Sequence, residues 1–169
     1  ASGVHSNGFT LARAAVADLD LKKIYPELNE EKTLGQVLLE PTRIYVEPIV
    51  KLLKQYRVKK VVSGMAHITG GGIAGNLCRS LCDSVDATVH LDRWEVPSIF
   101  NFLQKHGNIE TEEMFRVFNM GIGYILIVRP AFADSITSHL EQLGETPIVL
   151  GEITKGTGKV HVIEAGLSS

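Results

Sequence analysis

The sequence has 169 residues, of which 44% are hydrophobic and 21% are charged, and its formal net charge is -2. This composition is typical of one globular domain with a hydrophobic core, and it excludes a disordered or fibrous chain. Because the charges nearly balance, we expect no nucleic-acid binding, and any anion site must be local. No apolar run approaches the ~20 residues that cross a bilayer, and no signal peptide is recognisable. We therefore predict a cytoplasmic protein that does not bind membranes.

The two cysteines, Cys78 and Cys82, lie four residues apart on a predicted helix. A disulfide along one helix is poorly placed, and a structural zinc site would need about four ligands. We therefore interpret both side chains as packed or partly exposed thiols in a reducing compartment, and we predict no metal site. The chain starts at Ala1 without an initiator methionine, and we expect it to be a processed or excised piece of a longer protein.

Hydrophobic spacing predicts helices and strands that interleave along the chain. It places Ile99, Phe102 and Leu103 on one helical face, Phe132, Ile136, Leu140 and Leu143 on another, and Ala87, Val89 and Leu91 on the buried side of a strand. In order, we predict a helix from residue 8, a short helix at 34–39, an amphipathic helix over 46–53 capped by Thr42, a strand at 59–66, a helix at 73–82, a strand at 86–92, helices at 97–107 and 110–118, a strand at 121–128, a helix at 131–143, and strands at 147–153 and 159–163. A glycine-containing turn at 155–158 predicts that the last two strands form a β-hairpin. The consecutive strands favour an α+β fold, with a mixed β-sheet and helices packed on it.

A glycine turn, His67-Ile68-Thr69-Gly70-Gly71-Gly72, joins a predicted strand to a predicted helix. This arrangement aims several backbone N–H groups at one point, which suits a phosphate or another anion. A purely structural interpretation also fits, in which the turn needs glycine for close packing. His67 is either a hydrogen-bonded spacer or a donor to a phosphate or a developing oxyanion.

The same glycines spell a dinucleotide-binding fingerprint, Gly70-x-Gly72-x-x-Gly75, and Asp92 follows about twenty residues later at the end of a predicted strand. A small dinucleotide-binding domain is therefore an alternative hypothesis. The strands predicted after this region do not have the pattern of a second βαβ half, which weakens that hypothesis.

Three further stretches carry polar or glycine residues beside predicted element ends. His5 precedes a helix start, where an imidazole stays largely neutral and can donate a hydrogen bond, although a simple helix cap also fits. Arg43 can hold a carboxylate, a phosphate or a partner subunit, or it can be solvated. Gly121 and Gly123 enter a buried strand, which indicates a close backbone approach to a ligand or to a neighbouring element.

Taken together and in this order, these stretches resemble the C-terminal domain of aminoimidazole ribonucleotide synthetase, also called phosphoribosylformylglycinamidine cyclo-ligase. The similarity covers nearly the whole chain and is carried by these segments: Gly3-Val4-His5-Ser6-Asn7-Gly8-Phe9, Pro41-Thr42-Arg43-Ile44-Tyr45-Val46, Ala66-His67-Ile68-Thr69-Gly70-Gly71-Gly72, and Phe118-Asn119-Met120-Gly121-Ile122-Gly123. The resemblance implies the α+β fold of that superfamily, with residues 1–169 forming one substrate-side domain. It also leaves a related ATP-dependent synthetase or kinase of the same superfamily as an alternative.

The resemblance further implies an ATP-dependent ligase of purine biosynthesis whose ATP and Mg²⁺ are mostly bound by an N-terminal domain absent from this chain. The implied partners are formylglycinamidine ribonucleotide, that N-terminal domain and a second copy in a homodimer, and the isolated chain is expected to be inactive. His5 is the implied catalytic residue, which orients or polarises the reacting amide oxygen. The implied substrate-binding residues are Ser6, Asn7, Gly8, Arg43, His67, Thr69, Gly70, Gly71, Gly72, Asn119 and Gly121. Of these, residues 69–72 would face a phosphate, and Asn119 and Gly121 would line the cleft floor.

Overall fold

A computed structural model describes residues 1–163 of the chain. Its helices and strands are α1 (Phe9–Ala15), α2 (Leu34–Leu38), α3 (Val46–Gln55), β1 (Val62–His67), α4 (Gly72–Leu77), β2 (Val85–His90), α5 (Ser98–Gly107), α6 (Thr111–Val117), β3 (Tyr124–Val128), α7 (Ala133–Gln142), β4 (Gly151–Lys155) and β5 (Val160–Ile163). Short 3₁₀ turns cover Cys78–Ser80, Leu91–Arg93 and Pro130–Phe132. None of the helices in this described part is long and apolar enough to cross a membrane.

The chain divides into two compact units. Unit 1 contains Ala1–Arg43, His67–Asn76 and Glu95–Gly123, and unit 2 contains Ile44–Ala66, Leu77–Trp94 and the described residues 124–163. The core of unit 1 is built by the apolar faces of its helices, and its fully buried side chains include Leu34, Phe100, Leu103, Met114 and Phe118. The predicted apolar face of α5 is therefore confirmed. A capping box at Thr33, in which Thr33 and Gln36 bond each other's backbone N–H, fixes the start of α2.

Unit 2 contains a three-stranded mixed sheet in the order β4-β2-β5. The central strand β2 runs antiparallel to β4, with Ala87 opposite Ile153, and parallel to β5, with Ala87 opposite Val160. Ala87 and Val89 point to the buried face of this sheet. Strand β1 pairs with β3 in a separate two-stranded sheet. The predicted α+β fold with a mixed sheet is thus confirmed.

The predicted hairpin between the last two strands is wrong, because β2 lies between them and pairs with both. The turn does reverse the chain, but it crosses the start of β2, where Gly156 N–H and Gly158 N–H donate to the carbonyl oxygens of Ser84 and Val85. Asp86 anchors the crossing. Its Oδ1 accepts hydrogen bonds from Thr157 N–H at 2.7 Å and Lys159 N–H at 2.8 Å, and its Oδ2 lies 2.9 Å from His161 Nε2. The residues of the turn therefore reverse the direction of the chain, whereas β2, which is distant in sequence, determines how β4 and β5 are paired.

Replacing Asp86 with asparagine is expected to lower the thermal midpoint at pH 7 by a few degrees. The hydrogen bonds from His161, Thr157 and Lys159 hold the Asp86 pKa well below its ordinary value. Because the folded pKa lies below the unfolded value of about 3.9, this carboxylate stabilises the fold fully above about pH 4 and progressively less as the pH falls further. The thermal midpoints of the native protein and of Asp86→Asn, measured between pH 7 and pH 2, should converge as the pH falls. A difference in midpoint that does not change with pH would contradict this role.

Several element boundaries also differ from prediction. Tyr45, not Thr42, immediately precedes α3. The helix after the glycines ends at Leu77 and tightens to a 3₁₀ turn, so Cys82 lies beyond it. Both cysteines are exposed and neither forms a disulfide. The strand predicted from residue 121 begins only at Tyr124, because Asn119–Ile122 forms a tight turn closed by Ile122 N–H and the Asn119 carbonyl.

Candidate functional site

The first residues of the chain are fixed inside unit 1 by the side chain of Asn119. Asn119 is only 2% exposed. Its Nδ2 donates to the carbonyl oxygens of Gly3 at 2.9 Å and Val4 at 3.2 Å, and its Oδ1 accepts from Gly121 N–H at 2.8 Å. The Ala1 amine adds a hydrogen bond to the Gly121 carbonyl. These bonds hold the segment that carries His5 against the turn at residues 119–122.

His5 lies at the end of this fixed segment with a left-handed backbone, φ 60°, and its residue is only 5% exposed. Its Nε2 accepts from Ser2 N–H at 3.1 Å, faces Arg43 N–H at a long 3.5 Å, and lies 2.9 Å from Ser2 Oγ. The Ser2 hydroxyl in turn donates to the Pro41 carbonyl at 2.8 Å. Because backbone N–H donors face Nε2, we assign the proton of the neutral ring to Nδ1.

The electrostatic surroundings keep His5 neutral. Burial is the largest cause that lowers its pKa, and electrostatic repulsion from His67 lowers it further. Protonating Nε2 would also replace this acceptor with an N–H donor, which would then face the N–H groups of Ser2 and Arg43. The neutral state expected from the sequence is therefore supported, although the largest cause is burial. His67 itself is exposed at the end of β1.

The other predicted residues of the first stretch meet two more segments of unit 1. Ser6 Oγ lies 3.3 Å from Thr42 Oγ1. Asn7 reaches the glycine turn, since its Oδ1 lies 3.6 Å from the place where a Cβ on Gly70 would be. Gly8 immediately precedes α1 with φ 72°, and a Cβ there would lie 2.6 Å from the buried Phe118 ring. The stretches predicted from sequence thus converge in one region, and the Arg43 residue at its border is exposed.

The three glycines of the turn differ in backbone conformation and in surroundings. Gly72 has φ 63°, and a Cβ on it would lie well inside 3.0 Å of the Phe115 carbonyl oxygen, so the close-packing interpretation is correct for this position. Gly71 has φ 100° and more room. Gly70 has no left-handed backbone, and within 4 Å of its Cβ position the only described neighbour is Asn7 Oδ1. Both Gly70 and Gly71 are exposed, so the first two glycines leave the backbone open on one side.

Asn76 holds the shape of this turn, and the sequence reasoning gave it no role. The residue is 6% exposed, and its Nδ2 donates to the carbonyl oxygens of Gly72 at 2.7 Å, Thr69 at 3.1 Å and Gly70 at 3.3 Å. Its Oδ1 accepts from the Thr69 hydroxyl at 3.1 Å. Within residues 1–163, the N–H groups of Gly70 and Gly71 make no hydrogen bond. The carbonyl oxygens of Thr69, Gly70 and Gly72 therefore bond Asn76, whereas the N–H groups of Gly70 and Gly71 have no hydrogen-bond partner among the described residues.

Comparison with known proteins identifies the family. The sequence model of the family described as "AIR synthase related protein, C-terminal domain" matches residues 1–164. The chain belongs to this family. It is 44% identical over 162 residues to phosphoribosylformylglycinamidine cyclo-ligase of Alkaliphilus metalliredigens, which covers 94% of this chain and 45% of that protein. It is 45% identical over 164 residues to the protein of the same name from Carboxydothermus hydrogenoformans, covering 96% and 46%. The chain therefore spans slightly less than half the length of the curated relatives it matches.

The fold of this AIR synthase related domain does not match the dinucleotide hypothesis. That fingerprint requires the strands before and after the glycine turn to be part of one parallel βαβ sheet. Here β1 pairs with β3, and β2 pairs with β4 and β5 in a different sheet. Asp92 also lies in the 3₁₀ turn Leu91–Arg93 after β2 has ended at His90. The match of Gly70, Gly72 and Gly75 to the fingerprint is thus coincidental.

The geometry of this AIR synthase related domain gives Asn119 a structural role. Its amide is buried and bonded within the protein, so it positions the His5 segment, and the lining of a cleft floor by Asn119 stays a prediction. Gly121 belongs to the same anchor, through its N–H and its carbonyl. No group of three or more His, Cys, Asp or Glu side chains among residues 1–163 is placed to hold a metal ion.

Proposed function

We propose that this chain is the substrate-side domain of a phosphoribosylformylglycinamidine cyclo-ligase, an ATP-dependent ligase that converts formylglycinamidine ribonucleotide to aminoimidazole ribonucleotide in de novo purine biosynthesis. The observation that carries the proposal is the convergence, within unit 1, of the His5 segment and the glycine turn. The names of relatives at 44% and 45% identity support the same reaction. They favour it over the other ATP-dependent enzymes of the superfamily.

The glycine turn suits a phosphate group of the ribonucleotide or the phosphoryl group in transfer. The N–H groups of Gly70 and Gly71 are held open by Asn76, and exposed glycines let an oxyanion approach the backbone closely. Ser6, Asn7 and Thr69 border the same region and supply hydroxyl and amide groups for the ribose or the amidine. Arg43 and His67 add positive or polar groups at its exposed edge.

His5 would act as a fixed hydrogen-bond donor. With Nε2 held as an acceptor, the Nδ1–H group is the one that can donate to an oxygen on which negative charge develops. Because its pKa is lowered, the ring is neutral near pH 7, and a neutral Nδ1–H group would polarise the oxygen without acting as a general acid.

ATP, when bound, would supply the phosphoryl group that converts the formyl oxygen into a leaving group. We propose that an N-terminal domain of the whole enzyme binds the Mg²⁺ and most of the nucleotide, and that the glycine turn of this chain contacts a phosphate. We accordingly propose that the isolated chain is inactive, and that the whole enzyme is a cytoplasmic homodimer.

His5→Ala in the full-length enzyme is expected to lower kcat by about 10²-fold, the usual loss for one donor to a developing oxyanion. KM for the ribonucleotide should change by only a few-fold, because the glycine turn is untouched. Steady-state kinetics would measure both constants, with His106→Ala as the matched control, since His106 is an exposed histidine of the same unit. Unchanged kcat in His5→Ala would exclude the catalytic role while leaving the family assignment intact.

The pH dependence of kcat tests whether His5 acts in its neutral form. Because the His5 pKa lies below its ordinary value of about 6.5, the imidazole stays neutral as the pH falls from 8 to about 6.5. A plot of kcat against pH should therefore show no loss of kcat between pH 8 and about 6.5 that is present in the native enzyme and absent from His5→Ala.

A further inference from the structure

The end of α3 and the connection to β1 concentrate positive charge in unit 2. Residues 51–60 read Lys-Leu-Leu-Lys-Gln-Tyr-Arg-Val-Lys-Lys and contain no acidic residue, in a chain whose formal net charge is -2. Lys51 is balanced by Glu47, at 2.6 Å one helical turn earlier. The remaining cations, Lys54, Arg57, Lys59 and Lys60, are all exposed, and none has an acidic partner within residues 1–163. We call these four side chains, together with Val58, the basic surface.

Apolar side chains are exposed within and beside the basic surface. Val58 stands between the cations and is 98% exposed. Along α3, Val46, Val50 and Leu53 share one face at spacings of four and three residues, and they are 68%, 40% and 39% exposed. A cavity of about 330 Å³ opens beside this face, with Leu53, Val61 and Val62 among its apolar lining and Arg57, Lys59 and Lys60 among its charged lining. Its volume is at the lower end of the range for small-ligand pockets, enough for one apolar side chain.

Charge complementarity identifies the chemistry of an occupant. Four neighbouring cations that have no acidic partner among the described residues attract carboxylates and repel basic surfaces. A single-stranded nucleic acid would also need an exposed aromatic platform for its bases. Tyr56 does not provide one, because its ring packs edge-on against Phe132 at 6.1 Å and its hydroxyl bonds Ser135. Nor do exposed valine and leucine side chains suit a nucleic acid, whereas they do suit a peptide that carries apolar residues among its acids.

We propose that the basic surface and the adjoining face of α3 dock an acidic peptide segment of a protein partner. One aliphatic side chain of that segment occupies the cavity beside Leu53, and flanking carboxylates pair with Arg57 and Lys60. This surface is independent of the glycine turn and of His5, so the proposal holds whatever reaction the whole enzyme performs. Binding of this kind is weak, and it depends strongly on ionic strength.

The test uses the full-length polypeptide and a fluorescent synthetic peptide with two Leu residues flanked on each side by three Glu. Fluorescence anisotropy at low salt should show saturable binding that weakens at least 10-fold in Arg57→Glu/Lys60→Glu and in 0.5 M NaCl. The matched control is Lys22→Glu/Lys105→Glu, which makes the same change of charge at exposed lysines of unit 1. A peptide with Gln in place of both Leu should bind the native protein several-fold more weakly than the Leu peptide does. The Leu peptide should likewise bind the Val58→Ser variant several-fold more weakly than the native protein.

Three results would overturn the proposal. The first is a lack of specific binding, seen either as no saturable anisotropy change or as an equal loss of affinity in the two charge-reversal variants. The equal loss would mean non-specific electrostatic attraction. The second is equal or tighter binding of a single-stranded oligonucleotide of matched charge. The third is sedimentation showing that Arg57→Glu/Lys60→Glu dissociates a dimer, which would assign the surface to a second copy. Circular dichroism of each variant checks that the fold is unchanged.

Discussion

Gly72→Ala is expected to destabilise the fold by about 4 kcal/mol or more, among the largest effects of a single methyl group. The residue is buried with φ 63°, and a left-handed backbone alone costs an alanine about 1–2 kcal/mol. In addition, the new Cβ would overlap the carbonyl oxygen of Phe115, which is a backbone atom of α6 and cannot rotate away as a side chain would. Relief requires α6 and the glycine turn to separate, which opens the core around Met114 and Phe118.

Gly75→Ala is the matched control for this substitution. Gly75 lies three residues further along in α4, and outside its own stretch of helix no described atom lies within 4 Å of the place where its Cβ would be. Alanine there should be neutral or should stabilise the protein by up to about 1 kcal/mol, through its higher helix propensity. Urea denaturation of both variants measures the difference. Equal stabilities of Gly72→Ala and Gly75→Ala would show that the turn and α6 are not packed as described.

Asn119→Ala is expected to lower the free energy of unfolding by about 3 kcal/mol, because it leaves three backbone groups without their partner. These are the carbonyl oxygens of Gly3 and Val4 and the N–H of Gly121. The same substitution frees the segment that carries His5. In the full-length enzyme we therefore expect kcat to fall with it, by about 10-fold or more, if the proposed role of His5 holds.

Asn119→Asp distinguishes the donor role of this side chain from its volume. Aspartate has the same shape and can still accept from Gly121 N–H, but it places an oxygen against two carbonyl oxygens. Thermal and urea unfolding should show it to be at least as destabilising as alanine at pH 7. If aspartate behaved like the native residue, the contact with Gly3 and Val4 would not be a hydrogen bond that holds the segment.

The sequence predicted the elements that depend on neighbouring residues. The apolar spacing of α5 and α7 follows from which side chains share a helical face, and the burial of Ile99, Phe102, Leu103, Ile136 and Leu140 confirms it. The alternation in β2 likewise predicted that Ala87 and Val89 face inward. The glycine turn was located correctly between β1 and α4. Such features are local because a period of 3.6 or 2 residues is a property of the chain itself.

The glycine turn shows where local pattern is insufficient. Gly70, Gly71 and Gly72 are identical letters, yet a Cβ would overlap backbone only at Gly72, because Phe115 lies there, more than forty residues away along the chain. The same letters match a dinucleotide fingerprint, and only the partners of β1 and β2 exclude it. In the sequence, Asn76 stands a few residues after three glycines whose carbonyl oxygens its amide could bond. Its burial became visible only in the fold.

By itself, the sequence determined the helices, most strands, the mixed sheet and, through resemblance, the family and its candidate residues. Tertiary structure alone decided that β4 and β5 flank β2, because pairing depends on which strand offers free edges and a buried face. It also decided that Asn119 anchors the first residues of the chain, since its partners Gly3 and Val4 lie 116 and 115 residues away in the sequence. A buried amide must bond whatever the folded chain places beside it, and no local pattern specifies that neighbour.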